Sequence, residues 1–206
     1  MPSAPGAMNK AMTRAHTITA KTKKHADGHE SSRSWVIVYT GDGKGKTTAA
    51  LGMALRAIGY GMKVCMIQFI KGSLFTGELK SSKSLASGFR IIRAGEGFVG
   101  ILGDKKPLSQ HIAAAREALR VSAETITSGL YDIVILDEIN YAMSRKLVGV
   151  RPVLQLIRRR PVHVTLVLTG RRAPQQIIDV ADLVTEMRKI KHPYDTGLTA
   201  RKGIDF

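Results

Sequence analysis

Residues 40–48 read Thr-Gly-Asp-Gly-Lys-Gly-Lys-Thr-Thr, and they constrain the fold more than any other stretch of the chain. An apolar, β-branched run at residues 35–40 comes first and reads as a buried strand. Residues 47–58 follow with helical spacing; Leu51, Leu55 and Ile58 form one stripe, and Gly59 and Gly61 stop the helix. Strand, glycine-rich turn and helix in that order frame the phosphate-loop pattern: Gly, four residues, then Gly-Lys-Ser/Thr. Gly45, Lys46 and Thr47 supply its end, and Thr40 stands where the first glycine is usual. Glycines let the backbone curl until successive N–H groups converge on phosphate oxygens. The helix that starts there adds its positive N-terminus. Lys46 brings a mobile cation, and the Thr47 hydroxyl is a magnesium ligand. The expected nucleotide site is therefore Thr40, Gly41, Asp42, Gly43, Lys44, Gly45, Lys46, Thr47 and Thr48. A dinucleotide fingerprint is excluded, because its third glycine would fall on Lys46.

Such a site needs a second acid to hold the magnesium. Residues 133–138, Ile-Val-Ile-Leu-Asp-Glu, form an apolar strand that ends in Asp137 and Glu138. Carboxylates at the C-terminal end of a strand face the crevice where ligands bind. Thr47, Asp137 and Glu138 are the expected metal ligands.

The spacing predicts further strands at residues 64–69, 89–92, 162–168 and 183–187. It predicts helices at 107–128, 152–159 and 174–181. Strands that are apolar throughout and alternate with helices argue for a parallel sheet covered on both faces. The expected fold is α/β, of the P-loop NTPase kind: three layers, α/β/α, around a mostly parallel central sheet. Residues 192–206 are polar and read as a tail over the domain surface.

Length and composition agree with one such domain. A chain of 206 residues buries roughly two-thirds of its unfolded surface without staples. No apolar run approaches the ~20 residues of a membrane span. The single cysteine, Cys65, excludes an intramolecular disulfide framework and a multi-thiolate metal site; it fits a reducing compartment, with the cytoplasm expected. In its apolar strand Cys65 is expected to be a buried small hydrophobe. Residues 1–33 carry Lys10, Arg14, Lys21, Lys23, Lys24 and Arg33 against Asp27 and Glu30, with almost no large apolar side chains. They are expected to form a basic, flexible arm, because they cannot repay their own ordering entropy. The domain is then 34–206. Net charge is +16, with the densest run at Arg158, Arg159 and Arg160, which invites a polyanion partner. His192 is expected to make a structural hydrogen bond. At this level switch, helicase, transporter and transferase readings all remain open.

Further strings narrow them. Residues 40–48 keep the threonine in place of glycine. Gln68-Phe-Ile-Lys71-Gly72 follows the second strand, with Gly77-Glu78 after it. Asp137-Glu138-Ile-Asn-Tyr141 and Leu168-Thr-Gly-Arg171 end two more strands. Residues 181–187, then Lys191-His-Pro-Tyr-Asp195, Gly197 and Gly203-Ile-Asp-Phe206 complete the set. In order and spacing, over residues 34–206, these resemble the P-loop type of ATP:corrinoid adenosyltransferases.

The resemblance implies an enzyme that binds ATP with magnesium, or manganese in its place. It implies transfer of the 5′-deoxyadenosyl group to the Co(I) of a reduced corrinoid, with release of triphosphate, in adenosylcobalamin biosynthesis or salvage. The corrinoid would be cobalamin, cobinamide or cobyrinic acid a,c-diamide. Cobalt is then the nucleophile, in keeping with the lack of a Ser/His/Asp or Cys/His set in the sequence. The resemblance also implies Lys71 and Arg171 as nucleotide-binding residues, Lys46 as the leaving-group cation, and Phe98 pressing under the corrin to displace the lower cobalt ligand. An electron-donating flavoprotein and a second copy of the chain are the implied partners, without membrane or nucleic acid. Two positions depart from the family: Gly100 and Leu74 stand where it has aromatics. Two alternatives stay open: a nucleic-acid-dependent P-loop ATPase, favoured by the charge, and a corrinoid- or nucleotide-binding homologue without catalysis, favoured by Gly100 and Leu74.

Overall fold

The computed structural model describes residues 34–72, 75–85, 88–97, 104 and 106–206. The basic arm, Leu74, Phe98 and Gly100 lie outside the described residues. Six strands alternate with helices: β1 (Val36–Thr40), α1 (Lys46–Gly59), β2 (Val64–Gln68), α2 (Gly77–Ser84) and β3 (Phe89–Arg93). They continue with α3 (Leu108–Thr127), β4 (Ile133–Asp137), α4 (Ile139–Ser144), α5 (Val150–Arg159), β5 (Thr165–Thr169), α6 (Gln175–Ile178) and β6 (Leu183–Glu186). The sheet order is β3-β2-β4-β5-β1-β6, and every pairing is parallel.

Alternation along the central strands divides the core into two layers. Val36, Val38, Cys65, Ile67, Val134, Leu136, Leu166 and Leu168 face α3, α4 and α5, and the helices answer with Ala115, Ala118, Ile126, Met143, Val153 and Ile157. Ile37, Met66, Ile135 and Val167 face the other way and pack on α1. The strands are buried on both sides, which is why they read as continuous apolar runs. The edge strands differ: β3 buries only Phe89, and β6 buries none of its residues. Cys65 is wholly buried, and burial pushes its thiol up to about 11.

The helix after the loop turns a different face inward from the expected one. Ala50, Ala54 and Ala57 pack on the sheet, while Leu55 is 61% exposed and Leu51 and Ile58 are only partly covered. Alanines let the helix lie close to the β-sheet, so the leucine stripe is displaced sideways. Two helices were absent from the periodicity. α2 is polar (GELKSSKS) and α4 is only 6 residues long, so neither carries a 3.6-residue apolar stripe. The helix expected over 174–181 is confined to Gln175–Ile178. The polar tail contains a short 3-10 turn, Pro193–Thr196, whose first N–H is capped as Tyr194 N–H donates to His192 Nδ1 at 3.1 Å.

Parallel register aligns the strand ends. Gln68 pairs with Asp137 across β2 and β4, Tyr39 with Thr169 across β1 and β5, and Thr40 with Glu186 across β1 and β6. The polar residues at these C-terminal ends therefore meet along one rim of the sheet.

Candidate active site

The loop between β1 and α1 is held by the segment that leaves β6. Met187 N–H donates to Thr40 O at 2.9 Å, and Gly43 N–H donates to Met187 O at 2.6 Å. A Cβ at Gly41 would stand 2.5 Å from Met187 O, and one at Gly43 would stand 2.6 Å from Arg188 O. Gly41 also sits at φ 92°, a region that side chains disfavour. These glycines are thus required by the backbone behind the loop as well as by a ligand in front. Thr40 has a structural use: Ala173 N–H donates to its Oγ1 at 3.0 Å, tying the loop to the chain that follows β5. Lys46 folds back inside the loop, and its ammonium donates to Gly41 O at 2.7 Å and Gly43 O at 2.6 Å. Burial holds its pKa below the ordinary lysine value.

Across from the loop stands a cluster drawn from several elements. Asp137 is fully buried. Its Oδ1 accepts from Thr47 Oγ1 and from Thr169 Oγ1, both at 2.8 Å. Its Oδ2 has no hydrogen bond, and the Lys71 ammonium lies 3.6 Å from it. Lys71 donates to Glu78 Oε1 at 2.8 Å, and Gln68 Nε2 donates to the same oxygen at 3.2 Å. Burial alone would lower the Lys71 pKa, but Asp137 and Glu78 outweigh it and hold it above the ordinary value. For Glu78, burial works upward, yet the bond from Lys71 and its charge hold the carboxyl low.

Glu138 directly precedes α4 in the left-handed region, at φ 65°. Its N–H donates to Thr169 Oγ1 at 3.0 Å. Burial first, and the Asp137 charge second, push its carboxyl up to about 7. Gly170, at φ 125°, makes room for it: a Cβ there would stand 2.8 Å from Tyr141 N and 3.1 Å from Glu138 Oε2. A non-glycine residue with positive φ costs on the order of 1–3 kcal/mol, so the geometry at Glu138 is over-determined by its surroundings.

Gly43, Lys44, Gly45, Lys46, Thr47 and Thr48 line one cleft of about 1000 Å³ together with Lys71, Glu78, Glu138 and Arg171. Thr40, Gly41 and Asp42 do not line it, and Asp137 lies beneath its floor behind Thr47. Thr169, Gly170, Gln68 and Glu78 complete the arrangement and were not picked out as site residues by motif reasoning. Their only signal in the sequence is their place in the strings at 68–72, 77–78 and 168–171.

The sequence matches the family described as ATP:corrinoid adenosyltransferase BtuR/CobO/CobP over residues 32–206. The chain belongs to that family. A corrinoid adenosyltransferase of Escherichia coli (strain K12) is 34% identical over 193 residues, covering 94% of this chain and 96% of its own length. One from Sinorhizobium sp is 40% identical, covering 83% of this chain and 79% of its own. One from Pseudomonas aeruginosa is 38% identical, covering 84% of each. Membership makes this chain an enzyme, a transferase that adenosylates corrinoids. The strings meet in the fold. Each contributes one wall of the same rim: Gln68 and Lys71 from β2 and its following turn, Asp137 and Glu138 from β4, Thr169 and Gly170 from β5. Among the described residues no helix is long and apolar enough to cross a membrane.

Proposed function

We propose that the chain transfers the 5′-deoxyadenosyl group of ATP to the Co(I) of a reduced corrinoid and releases triphosphate. The observation that carries this is a phosphate loop facing Glu138 across one cleft, with the buried Asp137 bonded to the loop's Thr47 beneath it, in a member of this family. Cobalt supplies the electron pair that forms the Co–C bond at C5′. The C5′–O bond breaks, and its electrons leave on the triphosphate.

The protein's part is electrostatic and positional. Lys46 exchanges its two carbonyl partners for phosphate oxygens, joining the loop N–H groups around the growing charge. Lys71 and Arg171 add positive charge from the far side. The nucleotide lies with C5′, rather than the terminal phosphorus, presented to the corrinoid, so alignment contributes as much as charge. Phe98 presses under the corrin and favours the Co(I) state by displacing the lower ligand.

A divalent cation fits the same residues. Asp137 Oδ2 is a buried oxygen without a hydrogen bond, beside Thr47 and Glu138. No group of three or more His, Cys, Asp or Glu side chains among the described residues forms a closed metal cage. Magnesium typically takes few protein ligands and draws on substrate phosphates. Thr47, Asp137 and Glu138 would hold it, and it would neutralise charge on the departing triphosphate. An electron-donating flavoprotein reduces the cobalt of the corrinoid, and the reaction takes place in the cytoplasm.

The test mixes the protein with ATP, magnesium and chemically reduced cobalamin. Loss of the Co(I) spectrum should yield adenosylcobalamin and triphosphate in equal amounts. Orthophosphate stimulated by DNA or RNA would replace this reading with a nucleic-acid-dependent ATPase, and binding without turnover would show a homologue that has lost catalysis.

A further inference from the structure

Residues 200–206 are folded on themselves against the cleft. Asp205 N–H donates to Arg201 O at 2.8 Å, Gly203 N–H donates to Phe206 O at 2.8 Å, and Arg201 N–H donates to Asp205 Oδ2 at 2.7 Å. One Asp205 oxygen thus ties its own turn. The other, Oδ1, forms an ion pair with the Lys44 ammonium of the phosphate loop. Gly203, Asp205 and Phe206 line the cleft, and a Cβ built on Gly77 at the start of α2 would lie 3.9 Å from the Phe206 carbonyl carbon. The turn therefore spans from the loop to α2, across the mouth of the triphosphate site.

Two features make this strap displaceable. Its apolar side chains are not anchored in the core, since Ile204 is 67% and Phe206 44% exposed. The pair that fastens it is partly in water, with Lys44 44% and Asp205 19% exposed, and such pairs hold weakly. A carboxylate is also the wrong charge to leave beside a polyphosphate. Triphosphate and Asp205 compete for one ammonium.

We propose that Asp205 is a resident anion that occupies Lys44 until a polyphosphate displaces it, so that the 200–206 strap opens as ATP binds and helps expel triphosphate by returning. This rests on reading the cleft as a triphosphate site. The competition is reciprocal: whatever the strap gains by closing is subtracted from polyanion binding.

The probe is inorganic triphosphate with the full chain, which separates the inference from corrinoid chemistry. Asp205→Asn keeps an oxygen for Arg201 N–H and removes the charge. It should bind triphosphate about threefold to tenfold more tightly at low salt, with the gain shrinking as salt rises. Asp205→Glu should restore wild-type affinity. In the unaltered protein, amide exchange over residues 201–206 should speed up when triphosphate is added. Equal or weaker binding by Asp205→Asn, or slower exchange with ligand, would overturn the proposal and make the strap a closing part of the binding site. Failure of the wild type to bind triphosphate at all would instead remove the reading of the cleft itself.

Discussion

The loop of residues 40–48 takes its shape from one contiguous stretch, whereas the cluster opposite gathers Lys71, Glu78, Asp137 and Thr169 from separate elements. The loop presents backbone groups and one lysine, and its glycines are fitted against Met187 and Arg188. The cluster presents side chains that hold one another: two hydroxyls on one Asp137 oxygen, and one lysine shared by two carboxylates. A contiguous motif survives as a motif because its parts cannot drift apart. A dispersed cluster depends on the register of the strands that carry it. Loss of the loop's lysine should therefore cost activity more than stability, and loss of a bond or of space in the cluster should cost both.

Four variants test that contrast. Lys46→Ala removes the loop's cation and should lower the adenosyl-transfer rate by at least ~10²–10³-fold, while thermal unfolding changes little. Wild-type turnover in that variant would move the leaving-group role elsewhere. Gly170→Ala strikes the cluster. Its Cβ meets Tyr141 N at 2.8 Å in a left-handed conformation, so stability should drop by ~3 kcal/mol or more, and activity with it. A folded, active Gly170→Ala protein would show that the Glu138 turn is softer than its contacts indicate. Thr169→Val keeps the shape but leaves the Glu138 N–H without its acceptor and Asp137 Oδ1 with the Thr47 bond alone. About 2 kcal/mol should disappear in denaturant unfolding.

The last effect is pH-dependent and has the opposite sign. Glu138 titrates at about 7 in the folded chain, against 4.5 for the ordinary side chain. Between those values the folded state holds a proton that the unfolded state has lost, so stability falls as pH rises through the window. Glu138→Gln removes that loss. It should be more stable than wild type above pH ~7, by up to about 3 kcal/mol, and indistinguishable near pH ~4, read as melting temperature against pH. A variant equally destabilised at both pH values would show that the carboxylate is fully compensated when ionised.

The strap and the cluster also differ in how they use ion pairs. Lys71 lies between Glu78 and Asp137 at 18% exposure, where water screens little. Lys44 and Asp205 meet near the surface, where salt competes. The arginine run at 158–160 divides in the same way. Arg160 donates inward, to Ile157 O at 2.9 Å and Ser34 O at 3.2 Å, while Arg158 and Arg159 remain exposed. Part of the positive charge is thus structural rather than a surface for a partner.

Much of this was legible from residue types alone. The Thr40–Thr48 stretch, the apolar run into Asp137 and the alternation of strands and helices already specify a parallel sheet with a phosphate loop at its rim, because backbone geometry and burial act locally. Less legible were α2 and α4, which lack an apolar period. The inward face of α1 was also hidden, since alanines carry too little hydrophobicity to outweigh a leucine stripe in a periodicity reading.

The sequence by itself determined which backbone must curl and which strand must end in acids. Only the tertiary structure decided that Thr40 braces Ala173 rather than lining the cleft, that Gly170 exists for Glu138, and that Asp205 reaches back to Lys44. These are contacts between residues 32 to 161 positions apart, fixed by strand order and register, which no local pattern encodes.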